Sequence, residues 1–177
     1  MKKIDVLGTG GGPGGMAAAI AANEKGCSVL IIEREKRLGG ILKQCIHDGF
    51  GLIRFAEKLS GPEYAERYVD QIISEGIPYL TQAFVTKIEE EHGEYHVYLV
   101  TKNGIEECLA KSLVLATGCR ERTAKQVMIQ GTRPAGVYTA GIAQYLTNIL
   151  GEMPTKKCVI LGSGDIGVEK IRISIKD

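Results

Sequence analysis

Apolar positions open the chain in a strand–helix–strand rhythm. Ile4, Val6 and Leu7 predict a short buried strand over 3–7. Residues 16–25 are rich in alanine and predict a helix closed by Gly26. Residues 28–33 are an apolar run ending in Glu33, the pattern of a parallel strand covered on both faces. Strand, glycine turn, helix and strand within about thirty residues make a βαβ unit.

Residues 34–61 are loop-rich. Pro62 suits the first turn of a helix. Ala65, Tyr68, Val69, Ile72 and Ile73 then form one apolar stripe, and Gly76 closes the helix. Tyr79 and Leu80 fit a short strand returning to the sheet. Residues 85–88, 95–100 and 106–109 read as an antiparallel meander inserted as a crossover, with Asn103 and Gly104 as a hairpin turn. Residues 111–118 return as a buried strand ending in a small-residue turn. Ile142, Tyr145, Leu146, Ile149 and Leu150 repeat the helical stripe, and Pro154 breaks the chain. A further buried strand is expected over 157–161, followed at once by a second glycine turn.

The first turn is Gly10, Gly11, Gly12, Pro13, Gly14 and Gly15, which satisfies G-x-G-x-x-G. The first glycine allows the tight turn, the second admits a pyrophosphate, and the third lets helix pack on strand. A helix N-terminus there favours an anion. A flexible linker is the rival explanation, and the flanking strand and helix weigh against it. Glu33 follows Gly10 by 23 residues. A carboxylate there accepts both hydroxyls of an adenosine ribose, although a strand-end acid can also be merely solvated. The acid disfavours a 2′-phosphate, while Arg34 beside it keeps that option open.

Composition narrows the classes. Glycine supplies 23 of 177 residues, about twice the usual share. Hydrophobic residues at 44% and charged residues at 24% are those of a globular protein. The net charge of +1 offers no broad field for a nucleic-acid backbone, and 6% aromatics without tryptophan offer little base stacking. No apolar run approaches a membrane span. Met1, Lys2 and Lys3 with apolar 16–22 imitate a signal peptide, but Asp5 and the glycines interrupt it, so a cytoplasmic protein is expected. Cys27, Cys45, Cys108, Cys119 and Cys158 form no C-x-x-C pair, so neither a zinc ribbon nor a dithiol centre is signalled. The length holds one domain and a fraction.

Residues 4–40, with Gly10, Gly12, Gly15, Glu33 and then Leu38, Gly39 and Gly40, resemble the FAD-binding start of FAD/NAD(P)-dependent oxidoreductases with two dinucleotide-binding domains. These include the pyridine nucleotide–disulfide reductase group. The resemblance implies a Rossmann-like, three-layer α/β FAD-binding domain with an antiparallel meander, plus the first strand of a second Rossmann unit. It places Gly39 and Gly40 on the flavin side of the pyrophosphate. Residues 113–118 resemble the second flavin signature, which brings Ala116, Thr117 and Gly118 to the cofactor. Val85 matches the position whose backbone meets the adenine. Gly162, Gly164 and Gly167 resemble an NAD(P)-binding turn. Stretches 39–51, 118–123 and 131–139 are similar to the flavoprotein branch near the larger, α chain of sarcosine oxidase and to proteins accompanying anaerobic glycerol-3-phosphate dehydrogenase. Disulfide reductases place a cysteine pair after the double glycine. Here only Cys45 occurs, so a dithiol relay is not expected.

Cys45, His47 and Asp48 could do acid–base or nucleophilic work, or could simply pack the loop beside the flavin. Cys45 and His47 are the candidate catalytic side chains. Cys119 is expected to pack, and His92 and His96 to be solvated. Arg120, Arg122 and Arg133 could meet a phosphate or a substrate acid, or stay solvated.

Two departures stand out. Gly8 and Thr9 replace an apolar pair at the end of the first strand, which leaves less to bury. After Gly167, Ile171, Ile173 and Ile175 alternate at strand period where a phosphate-binding helix is expected. The expectation is a C-terminally truncated or frame-shifted member, with an incomplete FAD-binding domain over 1–150 and the start of an NAD(P)-binding domain over 151–177. The parent function is electron transfer from NAD(P)H through FAD to an acceptor. The chain would be completed by a complementing subunit or a homo-oligomer, or be a non-catalytic FAD- or ADP-binding fragment, or a folded remnant without ligand.

Overall fold

The computed structural model describes residues 3–162 and Gly164. The chain divides into two compact units, Met1–Gly118 and Cys119–Asp177, so the division falls earlier than the boundary expected at 150. Gly167 and the alternating isoleucines lie outside the described residues.

The first unit runs β1 (Lys3–Thr9), α1 (Pro13–Glu24), β2 (Val29–Ile32), a short 3-10 turn (Gly40–Gln44), β3 (Asp48–Phe50), β4 (Leu59–Ser60), α2 (Gly61–Ser74), β5 (Tyr79–Leu80), β6 (Phe84–Glu91), β7 (Glu94–Thr101) and β8 (Gly104–Leu115). One six-stranded sheet has the order β5-β2-β1-β8-β7-β6, and β3 pairs with β4 apart from it. β1 lies parallel between β2 and β8, with Thr9 opposite both Ile32 and Leu115. The three strands therefore end level. The turn after Thr9 sits at their carboxyl edge, where open α/β sheets bind ligands.

Side-chain alternation splits the core in two. Val29 and Ile31 face the helices, packing with Met16 and Ile20 of α1 and Tyr68 and Ile72 of α2. Leu7 and Ile32 face the other way and are covered by Val97, Leu99 and Ala110 of the meander. This gives the three-layer α/β fold that the sequence implies. α2 begins with a capping box: the Glu63 amide donates to Ser60 Oγ, and the Ser60 amide donates 2.7 Å to the Glu63 carboxylate. Those hydrogen bonds hold the Glu63 carboxyl below its ordinary range. At the far end of the sheet, Asp5 accepts from the Ser28 amide and hydroxyl and from Lys111 Nζ.

Several expectations are corrected. The first strand extends to Thr9. Gly8 and Thr9 are buried and paired on both sides, so the glycine does not weaken the strand end by exposing it. The meander's last strand and the returning strand are one element. β8 pairs antiparallel with β7 over 104–110 and parallel with β1 over 109–115. Ile73, at the margin of the α2 stripe, is exposed.

In the second unit, α3 (Ala140–Asn148) forms where its spacing predicts. Its apolar stripe is exposed at Ile142, Tyr145 and Ile149, because that unit buries no hydrophobic residue among those described. The strand expected over 157–161 is absent from the described residues. A strand needs a neighbour for its ladder bonds, none pairs with this segment, and Val159 and Leu161 are almost fully exposed.

Candidate dinucleotide site

The glycine turn is tight because its backbone is crowded. Gly10 has φ +107°, and its amide donates 2.7 Å to the Ile32 carbonyl. A methyl group on Gly10 would overlap the Ala116 carbonyl, and one on Gly15 would overlap the Gly10 carbonyl. Two of the three motif glycines are thus required by contact. The Gly12 carbonyl accepts from the Met16 amide at 2.9 Å, the first helical bond of α1. Gly12 brings no side-chain oxygen to the free amides of that turn, and the turn holds no acid. Gly14 faces open space. A helix N-terminus in this state is electropositive and accepts an anion.

Glu33 is buried at the end of β2. Its Oε2 accepts 2.7 Å from the Gly11 amide and its Oε1 accepts 2.8 Å from the Glu35 amide. A carboxylate has roughly four acceptor sites, so two remain for further donors. The Ala83 amide donates 3.0 Å to the Glu33 carbonyl, which brings the lead into β6 alongside. Val85 lies two residues further on and pairs with Leu99 in the ladder.

The loop after Glu33 folds onto the turn. The Gly39 amide donates 2.8 Å to the Gly11 carbonyl. Gly40 lies so close to Gly12 that a methyl on it would come within 2.9 Å of the Gly12 Cα. The Ala116 amide donates 2.9 Å to the Thr9 carbonyl, while Thr117 and Gly118 are exposed. The structure thus gathers Gly10, Gly11, Gly12, Gly15, Glu33, Gly39, Gly40 and Ala116 at one sheet edge. Arg34 is exposed beside them. Two residues without an assigned role from sequence also belong here. Leu38 is buried against Gly11, and Lys43 ties the loop by donating to the Glu35 carboxylate and the Arg37 carbonyl. Their signal was weak, since a lysine eight residues after a glutamate marks no motif.

Cys45, His47 and Asp48 serve the neighbouring loop. Cys45 Sγ lies 3.4 Å from the Ile41 carbonyl, His47 Nδ1 lies 3.0 Å from the Asp48 carbonyl, and the Asp48 carboxylate pairs with Lys58. The His47 ring meets Phe50, which continues through Tyr64 to Tyr68 and Phe55. The Tyr68 hydroxyl beside it pushes the Tyr64 phenol up.

Further expectations change. His96 is half-buried and paired with Glu107 at 2.6 Å, not simply solvated, because the two side chains share a face of adjacent strands. Glu107 raises the His96 pKa. His92 is exposed in its turn. Cys119 is exposed instead of packed, since its unit offers no buried cluster to receive it. Arg120, Arg122 and Arg133 are exposed. A methyl group on Gly162 or Gly164 would meet nothing within 4 Å, and among the described residues no strand leads into them. Among the described residues no cluster of three metal-ligating side chains occurs, and no helix is long and apolar enough to cross a membrane.

This geometry has counterparts in known proteins. The family model described as pyridine nucleotide-disulphide oxidoreductase matches residues 5–173. The chain belongs to that family. Its members are FAD- and NAD(P)H-dependent oxidoreductases. Within the pyridine nucleotide-disulphide oxidoreductases, the chain is 29% identical to an opine oxidase subunit of Agrobacterium tumefaciens, over 92% of this chain and 32% of that protein. It is 28% identical to dihydrolipoyl dehydrogenase of Zymomonas mobilis, over 94% of this chain and 39% of that one. Among solved structures, L-proline dehydrogenase from P. horikoshii shares the fold with a TM-score of 0.81 at 23% identity, covering 99% of this chain and 34% of that one. The chain therefore spans about a third of the length of these proteins.

Proposed function

We propose that the first unit binds FAD, with its ADP half on the glycine turn, and that the protein takes part in electron transfer from NAD(P)H to an acceptor. The observation that carries this reading is the Glu33 carboxylate held by the Gly11 amide, with two acceptor sites left over. Those sites suit the 2′- and 3′-hydroxyls of a ribose. The electropositive start of α1 suits the pyrophosphate, and the bare backbone of Gly12 and Gly40 leaves it room. Val85 would border the adenine. Gly39, Gly40, Ala116, Thr117 and Gly118 would border the flavin side. When bound, FAD supplies the hydride and electron chemistry, and the polypeptide supplies placement and electrostatics. A reducing cytoplasm fits the five free cysteines.

Titration with FAD and with ADP tests this reading. The expected outcome is a yellow protein, or one whose thermal midpoint rises with either ligand. A colourless protein stabilised by neither would overturn it.

The exposed segment 157–161 and the open Gly162 and Gly164 favour a second reading, in which the chain holds the dinucleotide without turnover. Turnover would then require a complementing subunit or a second copy. NADH and NADPH oxidation with an artificial acceptor separates the two.

A further inference from the structure

We infer that Lys43 is a positioning residue for the cofactor, stapling the 33–43 loop so that Gly39 and Gly40 stay on the dinucleotide turn. The inference rests on the FAD reading above. The loop is poor in regular structure, and its two glycines both lie at positive φ, +111° and +56°. Its direct tie to the turn is the Gly39 amide donating to the Gly11 carbonyl at 2.8 Å. A loop of this kind drifts unless something closes it.

Lys43 closes it from within. Its Nζ donates 2.6 Å to the Glu35 carboxylate and 2.9 Å to the Arg37 carbonyl, gripping the loop on both sides of its bend. Its stem lies along Gly39, with Cγ 3.0 Å from where a Cβ of that glycine would stand. The Glu35 end is fixed independently. Its amide donates to Glu33 Oε1 and its carbonyl accepts from the Gln82 amide. The chain of contacts runs from the sheet through Glu33 and Glu35 to Lys43, and thence to the two glycines beside Gly12. Lys43 touches none of the atoms expected to hold the pyrophosphate. It acts through the loop.

The test combines binding with local exchange. Lys43→Met keeps the stem and removes the two hydrogen bonds, and Glu35→Gln weakens the same contact from the other side. Each is expected to weaken FAD and ADP binding about two- to fivefold by calorimetric titration, the scale of one partly exposed charged contact. The double variant should bind no worse than either single one, and Lys43→Arg should restore affinity. Amide exchange at Gly39 should quicken in Lys43→Met, while exchange at Ala116, bonded to Thr9, stays unchanged. Unaltered affinity and unaltered Gly39 exchange in both single variants would overturn the inference. So would a loss accompanied by faster exchange at Ala116, which marks general loosening. If the unmodified protein binds neither FAD nor ADP, the cofactor reading fails, and Gly39 exchange alone judges the staple.

Discussion

The Glu33 carboxylate accepts 2.7 Å from the amide of Gly11, across a turn and 22 residues of sequence. One buried acid thus fixes the shape of the glycine turn and forms one wall of the proposed ribose site. Glu33→Gln keeps the size but puts an NH2 group against one of two amide donors. Leaving a buried donor unpaired costs about 1–3 kcal/mol. The expected outcome is a lower thermal midpoint without ligand and an ADP affinity reduced by more than tenfold. Scanning calorimetry and titration measure the two effects separately.

The adjoining glycines differ sharply in tolerance. Gly15→Ala drives a methyl into the Gly10 carbonyl, where only backbone can yield, and should destabilise by about 1–3 kcal/mol or more. Gly14→Ala meets open space inside α1, so it should be neutral or stabilise by up to about 1 kcal/mol. Denaturant unfolding of the pair provides the check.

Ser60→Ala removes the acceptor that caps α2 and should cost about 1 kcal/mol. The helix also sets Gly61 against the carbonyls of Leu42 and Cys45, so local exchange should quicken over 42–45 as well.

Stability should vary with pH from two contacts at opposite ends of the scale. Glu107 raises the pKa of His96 above 6.5, so this pair stabilises fully below 6.5 and fades as pH climbs through the raised value. His96→Gln should flatten the decline in thermal midpoint between pH 6 and 8. Lys111 and Ser28 hold the Asp5 carboxyl well below 3.8. That contribution is present above 3.8 and is lost as pH falls through the lowered value. Asp5→Asn should remove it from the acid limb of the same melting series.

The legible parts of the chain were those in which local pattern and tertiary role agree. The turn, Glu33, the α2 stripe and the meander's hairpin all carry their signals within a few residues. Gly39 and Gly40 were legible through family likeness, and their contact with Gly12 explains why no side chain is wanted there. What escaped depends on distant partners. The fusion of two expected strands into β8 is decided by β1 and β7 on either side of it. The pairing of His96 with Glu107 depends on cross-strand register, which a run of alternating residues does not reveal. Residues 157–161 have the composition of a strand, yet composition supplies no neighbour to pair with.

The continuous β8 also sets a timetable. Ala116, which closes the glycine turn from the far side, follows Gly10 by on the order of a hundred residues, so that contact carries a high loop-closure cost. At about 5–20 residues per second of synthesis, the turn waits roughly 5–20 s for its opposite wall. The nascent chain holds half a cradle throughout that interval. A dinucleotide can settle there only after the last hairpin has brought β8 home beside β1, so loading is a late event in the life of each molecule.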